Sequence, residues 1–465
     1  MAKILHQHLF SWEDLDACSD LLRLQLVLKH LPDEEIVQAL ETQRGNGRNT
    51  YPIRPTWNAM LAGIVFQHDT VESLLRELRR NGELRQLCGF NPLLGATAAP
   101  TPWAMSRFVA NVIDLAPMIE RIFNDLVDTI TEVLPDLGDH LAFDGKAIPS
   151  HSTGRRNKET GKTSDPDADW GVKTYKGHGN DGKPWQKVKR WFGYQLHLIV
   201  DSVYELPVAF EIMPASASES AHLLPMVDQL KQSHPTIVTR CSDLTADKGL
   251  DCGETNKTLW EDHKITPVID TRTMWKDEKR EQDYDPEVAI TRSLNSEVAD
   301  NIVYTERGRV LCVCPVTGER TSMQHMGFEA DRGTLKYRCP AAAYNFVCRG
   351  RAACENAALA RPTDFGRVVR IKLDLDRRIF TPVPRDTPKW DRLYKTRSSV
   401  ERVNSRVDQG LRFDHHTIRG LAKMRTRMGL GLAVMLAMAV GFIAQGKPEL
   451  MRSLLGNTRA VRVAA

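Results

Sequence analysis

The chain reads as an α/β protein in which a mixed sheet flanked by helices follows a helical N-terminal module. Two observations carry that reading. Up to about residue 140 the apolar residues recur at helical spacing behind helix start signals. Beyond it come short β-branched and aromatic runs bounded by turn residues. Three such runs, then a helix, a strand, a helix and a strand imply one mixed sheet with helices packed on it. The 465 residues are 42% hydrophobic and 26% charged. Those values exclude wholesale disorder, a collagen-like chain and a small disulfide scaffold. At roughly 150 residues per domain, two to four domains are expected.

In the N-terminal module Pro32 precedes a helix over Asp33 to Thr42. Thr70 caps a helix running VESLLRELRRNGELRQL, and Thr101-Pro102 opens PWAMSRFVANVIDLAPMIERIFNDLVDTITEVL. A threonine oxygen can accept a first-turn N–H, and proline's missing N–H is no loss where that group would be unpaired. Strands are expected over His140 to Ile148, Trp191 to Asp201, Glu205 to Met213 and Thr236 to Asp247. A helix over Glu219 to Gln232 separates the third from the fourth, and ITPVIDTR supplies a fifth strand.

Positive charge is concentrated. Residues 151–190 hold ten Lys and Arg against five acids, and 361–430 hold eighteen against eight, in a chain whose net charge is only +4. The first run reads as a flexible basic hairpin or loop. Solvated faces are the plain explanation for either run, and a track for a phosphate backbone is the functional one. In the second reading Lys183, Lys187, Lys189 and Arg190 form a backbone clamp. The N-terminal segment MAKILHQHLFSWEDLDACSD lacks the pattern of a secretory signal, so a cytoplasmic protein is expected. Met428 to Ala444 is uncharged for seventeen residues. It follows a basic helical stretch and contains three glycines, which favours a buried core helix over a membrane span.

Three acids stand out. Asp144 in HLAFDGKAI follows an apolar strand and precedes a glycine, and Asp247 in TRCSDLTADKGLD is placed alike. Each alone could be a turn signal, but carboxylates at neighbouring strand ends can share a hard divalent cation. Asp243 lies four residues earlier in the same stretch and competes with Asp247. Glu401 shares a helical face with Tyr394 and Arg397 at spacings of four and three. His197 and His222 lie near these stretches. His197 alternates with Gln195 and Ile199 and reads first as packed or hydrogen-bonded, with metal ligation as the alternative.

Taken together, FDGKAI around Asp144, DADWGVK at 167–173, GYQLHLIVD at 193–201, ELPVAFEIMPASASES at 205–220, ADKGLD at 246–251 and YKTRSSVERVNSR at 394–406 make the chain resemble bacterial insertion-sequence transposases. Those enzymes carry a DDE triad on an RNase H-like core. The resemblance implies Asp144, Asp247 and Glu401 as catalytic, metal-holding residues for two Mg²⁺ ions, with Mn²⁺ as a substitute. It implies DNA contacts at Lys248, Arg397, Arg402 and Arg406, and a Y-x2-R-x3-E-x6-K signature over Tyr394, Arg397 and Glu401. The signature's lysine is Asp408 here, a reversed charge, so the phosphate contact is absent or comes from a neighbour such as Arg402, Arg406 or Arg412. The implied activity is cleavage at element ends and strand transfer into target DNA. The implied partners are double-stranded terminal inverted repeats and target DNA, met by a homodimer with no membrane involved. A DNA-binding derivative without turnover is the alternative, and Asp408 is its one sequence hint.

The implied organisation is a helical DNA-end-binding domain (1–138), a first part of the core (139–275), a Cys-containing insertion (276–365), the rest of the core (366–446) and a tail (447–465). Of nine cysteines, Cys18, Cys88, Cys241 and Cys252 are scattered, which argues against a disulfide framework. Cys312, Cys314, Cys339, Cys348 and Cys354 cluster in the insertion. Paired thiolates can close a structural Zn²⁺ site that pins a segment lacking a large core, although C-x-C is an unusual spacing; free thiols are the alternative.

Overall fold

The computed structural model describes residues 19–46, 49–157, 160–178, 183–275, 291–294, 301–356 and 365–453. The opening of the expected insertion and most of the expected tail, with Cys18, lie outside them.

The N-terminal region is helical: α1 (Ser19–His30), α2 (Glu34–Arg44), α3 (Ile53–Val65), α4 (Val71–Arg80), α5 (Gly82–Cys88), α6 (Pro102–Asp114) and α7 (Ala116–Val133). Thr70 caps α4 by accepting the Ser73 N–H at 3.1 Å, as its position predicts. Two expected single helices are each broken in two. Asn81 ends α4 and its side chain caps α5, accepting the Leu84 N–H at 2.9 Å. Pro117 lies in the first turn of α7, where its ring and missing N–H start a helix more readily than they continue one.

The central core is a mixed sheet of β1 (His140–Pro149), β2 (Asp169–His178), β3 (Pro184–Asp201), β4 (Pro207–Pro214), β5 (Asp243–Ala246) and β6 (Thr266–Ile269). The strand order is β4-β3-β1-β5-β6, with β2 paired to the early half of β3. β3 is antiparallel to β1 and β4, whereas β5 and β6 run parallel to β1. This is the mixed sheet flanked by helices that the sequence order implies. Helices α8 (Glu219–Ser233), α9 (Pro235–Arg240) and α10 (Gly253–Glu261) supply the connections.

One segment differs from expectation, and the basic segment takes the hairpin form of the two expected. The β-branched run after Thr236 is helical before it is a strand, because Pro235 opens α9 and Ile237 and Val238 pack inward; only Asp243–Ala246 is extended. The basic segment is a two-stranded ribbon more than a loop, since β3 begins at Pro184 and pairs with β2 from His178↔Pro184 to Asp169↔Gly193.

Beyond β6 come β7 (Thr291–Ser293), β8 (Ile302–Thr305), β9 (Val310–Val313) and β10 (Arg320–Ser322) in one antiparallel sheet, and β11 (Gln324–Glu329), β12 (Thr334–Arg338) and β13 (Val368–Lys372) in another. The short helices α11 (Pro340–Tyr344) and α12 (Arg351–Asn356) lie between β12 and β13. Against expectation this region has a core of its own. Ile302, Tyr304, Val310, Leu335, Tyr337, Ile371 and Phe380 are buried together, because the short strands alternate apolar and polar residues and close their apolar faces on one another.

The chain then returns to the core through α13 (Pro388–Lys395), α14 (Ser398–Gln409) and α15 (Leu421–Ala444). α15 is long and apolar enough to cross a membrane by length and composition, yet 78% of its most apolar window is buried inside the protein. It packs on α7, α1 and β4. The Asp167 carboxylate of the DADWGVK stretch accepts the Leu421 N–H at 3.0 Å and so caps it. Gly429 allows the close approach: a Cβ there would meet Ile119 at 3.0 Å and Phe210 at 3.3 Å. Replacing Gly429 with Val should therefore destabilise the protein by about 2 kcal/mol through overpacking, read as a lower urea midpoint with unchanged slope.

Candidate functional site

The register of β1 against β5 builds the site. His140 pairs with Asp243, Leu141 with Leu244, Ala142 with Thr245 and Phe143 with Ala246. One step further along both parallel strands stand Asp144 and Asp247. Side chains alternate across a strand, so these two carboxylates leave the sheet at the same end and on the same side. Asp243 sits at the opposite end of β5, buried, with its Oδ2 2.7 Å from His140 Nδ1.

α14 packs on β1 and β3 and brings the third acid to this end. Asn404 Nδ2 donates to Asp144 Oδ2 at 3.4 Å, and Glu401 lies one turn earlier on the same helix. Glu401 accepts from Arg397 Nη2 at 2.6 Å. Arg397 also lies in the field of the other two acids. Burial works against its charge, yet Glu401, Tyr394, Asp144 and Asp247 hold its pKa above the ordinary value. Tyr394 lies beneath it, stacked on Trp390 with ring centroids 4.6 Å apart.

A fourth carboxylate joins the cluster. Glu219, the first residue of α8, accepts from Gln195 Nε2 at 2.6 Å and lies 3.7 Å from Lys173 Nζ. Its carboxyl presses on Gly145 so closely that a Cβ there would come within 2.8 Å of its carbon, which explains the glycine after Asp144. Sequence reasoning did not single out Glu219. The available signal was an acid opening the helix that directly follows the third core strand.

Asp144 is mostly buried. Desolvation pushes its carboxyl up to about 6, opposed by Lys173, assisted by Glu219 and opposed again by Arg397. A desolvated carboxylate beside other acids, with hard oxygen donors aimed at one strand end, fits a divalent cation. Among the described residues Asp144, Asp247 and Glu401 do not form a closed set of ligands within 4.8 Å of one another; the group that does is His197, Glu211 and His222.

The expected DNA-contact residues divide. Lys248 is exposed beside Asp247. Arg406 is turned inward onto Glu205, with Nη2 2.9 Å from Oε2, while Arg402 reaches the same carboxylate at 2.7 Å and stays half exposed. Asp408 pairs with Lys146 at 2.5 Å. Lys146 lies two residues after Asp144 on the same side of β1, so the reversed charge on α14 is matched by a lysine from that strand. On the ribbon, Lys187, Lys189 and Arg190 are exposed, as is Lys183 just before it. Lys189 stands opposite Lys173 in register, with Lys187 two residues away on that face; Arg190 is on the other face, opposite Val172.

In the insertion, burial pushes the Cys312 thiol up to about 12, and Cys354, Cys339 and Cys348 push it the same way. The three other thiols lie close enough to act on it, but among the described residues the cysteines form no set of three ligand atoms within 4.8 Å of one another. Asn301 Nδ2 lies 3.6 Å from Cys312 Sγ and 3.7 Å from Cys354 Sγ. Hydrogen bonds around Thr317 lower the Cys314 thiol, and its Sγ lies against Gly350, where a Cβ would meet it at 2.8 Å.

A family model described as the transposase DDE domain matches residues 135–437, about two thirds of the chain. The chain belongs to the DDE transposase family. It is an enzyme that acts on DNA, and the family uses a divalent metal ion. No curated protein sequence matches it. A solved piggyBac transposase synaptic complex with hairpin DNA is similar at 11% identity and a TM-score of 0.35, over 96% of this chain and 80% of that one.

Burial of Asp144 has a measurable consequence for the metal-free transposase. A carboxyl whose folded pKa is raised makes the protein less stable as pH climbs from about 4 through about 6, because the folded state then holds a charge it solvates poorly. Asp144→Asn should therefore raise stability by on the order of 2 kcal/mol at pH 7.5, with the gain fading near pH 4. Urea unfolding at the two pH values measures it, and a gain that persisted at pH 4 would contradict the assignment.

Proposed function

We propose that Asp144, Asp247 and Glu401 hold two Mg²⁺ ions, replaceable by Mn²⁺, and that the transposase cleaves phosphodiesters at the ends of its own element and joins them to target DNA. The observation that carries this reading is the parallel register that sets Asp144 beside Asp247 under the helix of Glu401 and Arg397. When bound, the ions supply Lewis-acid activation of the attacking oxygen and stabilisation of the leaving oxygen. Water is the first nucleophile. A P–O bond forms, the P–O3′ bond breaks, and the departing 3′ oxygen takes a proton. The freed 3′-hydroxyl then attacks a target phosphodiester in the same way, so one P–O bond replaces another and no energy-rich cofactor is needed. Arg397 orients Glu401 and presents its guanidinium to the phosphate, while Asn404 fixes the Asp144 carboxyl. Lys146, held by Asp408, supplies the positive charge that the family signature carries on its lysine.

DNA lies along the β2-β3 ribbon in this reading. Lysines facing one another across strands are unfavourable in isolation, and a phosphate backbone between Lys173, Lys187 and Lys189 relieves that repulsion. The ribbon leads directly to the acids through Lys173. Trp170 and Trp185 are also half exposed there and give it apolar contact with sugars. We further propose that two copies act together on paired ends, with the N-terminal helices reading the terminal repeats.

Asp247→Asn and Glu401→Gln should each abolish Mg²⁺-dependent nicking of a labelled element end while binding that DNA within about threefold of the parent. Asp243→Asn should keep its nicking activity. Retained activity in either of the first two would remove that residue from the triad.

Cys312, Cys339, Cys348 and Cys354 would hold a structural Zn²⁺, with the Asn301 amide steadying two sulfurs. Metal analysis of freshly reduced protein should give about one thiolate-bound zinc per chain. Cys312→Ser should lose it and Cys314→Ser should not; equal zinc in both variants would exclude this ligand set.

A further inference from the structure

On the α8 side of the core sheet a row of paired residues crosses three strands. Gly145 of β1 pairs with His197 of β3, and His197 pairs with Glu211 of β4. Residues directly opposite in antiparallel strands project to the same side, so His197 and Glu211 face α8 together. α8 answers with His222, whose Nδ1 lies 2.9 Å from Glu211 Oε2. The His197 and His222 rings stack with centroids 4.8 Å apart and planes inclined by 15°. One donor atom from each of the three side chains lies within 4.8 Å of the other two.

His197 is the unusual member. It is fully buried, and neither ring nitrogen has a hydrogen-bond partner. Phe143 lies on one side of it, with centroids 6.0 Å apart, and His222 on the other. A buried polar atom without a partner costs about 1–3 kcal/mol. Two idle nitrogens in one ring are therefore hard to understand as packing alone, since a leucine or phenylalanine would fill the space without that cost. What removes the cost is a group that accepts an imidazole lone pair in a place where Glu211 and His222 already converge.

We propose that His197, Glu211 and His222 form a second metal site, separate from the catalytic acids and suited to Zn²⁺ or a similar transition ion. Two imidazoles and one carboxylate are a nitrogen-and-oxygen set for a tetrahedral ion with its fourth position open to water, whereas Mg²⁺ prefers oxygen donors alone. Glu211 and His222 keep 31% and 17% of their side-chain surface exposed, which gives the ion and its water a way in. Closing the set needs a small contraction and a turn of one stacked ring, which releases His222 from its present hydrogen bond to Glu211. The bound ion ties the first turn of α8 to β3 and β4. That same turn carries Glu219, which presses on Gly145 behind Asp144, so the ion acts as a positioning clamp for the active site.

Cobalt titration of the reduced, full-length protein in excess Mg²⁺ tests this. Co²⁺ bound here should give visible ligand-field bands without the sulfur-to-metal charge-transfer band of a thiolate site. Glu211→Gln keeps shape and an acceptor for His222, and His222→Asn keeps a donor. Each should lose about one equivalent of the sulfur-free Co²⁺ signal, or bind it on the order of 100-fold more weakly. Zn²⁺ should raise the melting temperature of the parent more than that of either variant, all three melting alike without metal. An identical sulfur-free signal in parent and variants, or no such signal in the parent, would overturn the site and leave a hydrogen-bonded pair stacked on a packed histidine.

Discussion

Everything at the catalytic end depends on the pairing of β1 with β5 in one parallel register. A slip of one residue would turn every side chain of one strand to the other face and send Asp247 away from Asp144. The register is held by burial: Leu141, Ala142, Phe143, Leu244, Thr245 and Ala246 are fully enclosed. Only at Asp144 and Asp247 does the ladder run out and the polarity change. Asp144 stands in the middle of β1, which runs on beside β3 to Pro149, at the point where its pairing with β5 ends, and Asp247 directly follows β5. The same pairing leaves Asp243 at the far end with His140, which removes it from the cluster on geometry alone.

The second constraint is electrostatic. Asp144, Asp247, Glu219 and Glu401 converge on one end of the sheet, and a carboxylate buried among others resists ionisation. The protein offsets this with cations from two elements: Arg397 from the approach to α14 and Lys173 from the ribbon. Lys146 and Asp408 matter because the charge has changed places without changing sum. A lysine expected on the helix is an aspartate, and the strand lysine beside it closes on that aspartate. The departure from the signature is therefore met by a partner two residues from Asp144.

Much of this was legible in the sequence because it rests on local chemistry. The strand-acid-glycine pattern singled out Asp144, although β1 runs on past it to Pro149, and D-K-G singled out Asp247. Period and caps found the helical module, the central helix and most core strands. What escaped detection depends on contacts between distant segments. Pro235 turned a β-branched run into α9 because the sheet needed a connection there. Glu219 acquires its place only when α8 folds back across Gly145. Arg402 and Arg406 read as free cations until Glu205, with its left-handed backbone (φ 56°) nearly 200 residues earlier, is brought beneath them.

The long separation between Asp247 and Glu401 poses the last structural problem, because an insertion stands between β6 and the helices that return to the core. Asp251, four residues after Asp247 and fully buried, gives the solution. Its Oδ2 accepts from Arg378 Nη1 at 2.8 Å and from the Arg272 N–H at 2.9 Å. Arg378 reaches on to Glu306 of the insertion at 2.6 Å. Arg385, also buried, lies 3.6 Å from Asp251 and donates to the Ile269 carbonyl at the end of β6 at 2.7 Å. The segment leading into α13 and α14 is thereby tied to the loop that follows Asp247, and the insertion is tied to both. Buried ion pairs add little net stability, since desolvation offsets much of the attraction, but breaking one leaves an unpaired charge at a cost of about 3–5 kcal/mol. Such a network is better suited to selecting one arrangement than to strengthening it, and the arrangement it selects is the one in which the helix of Glu401 returns over Asp144.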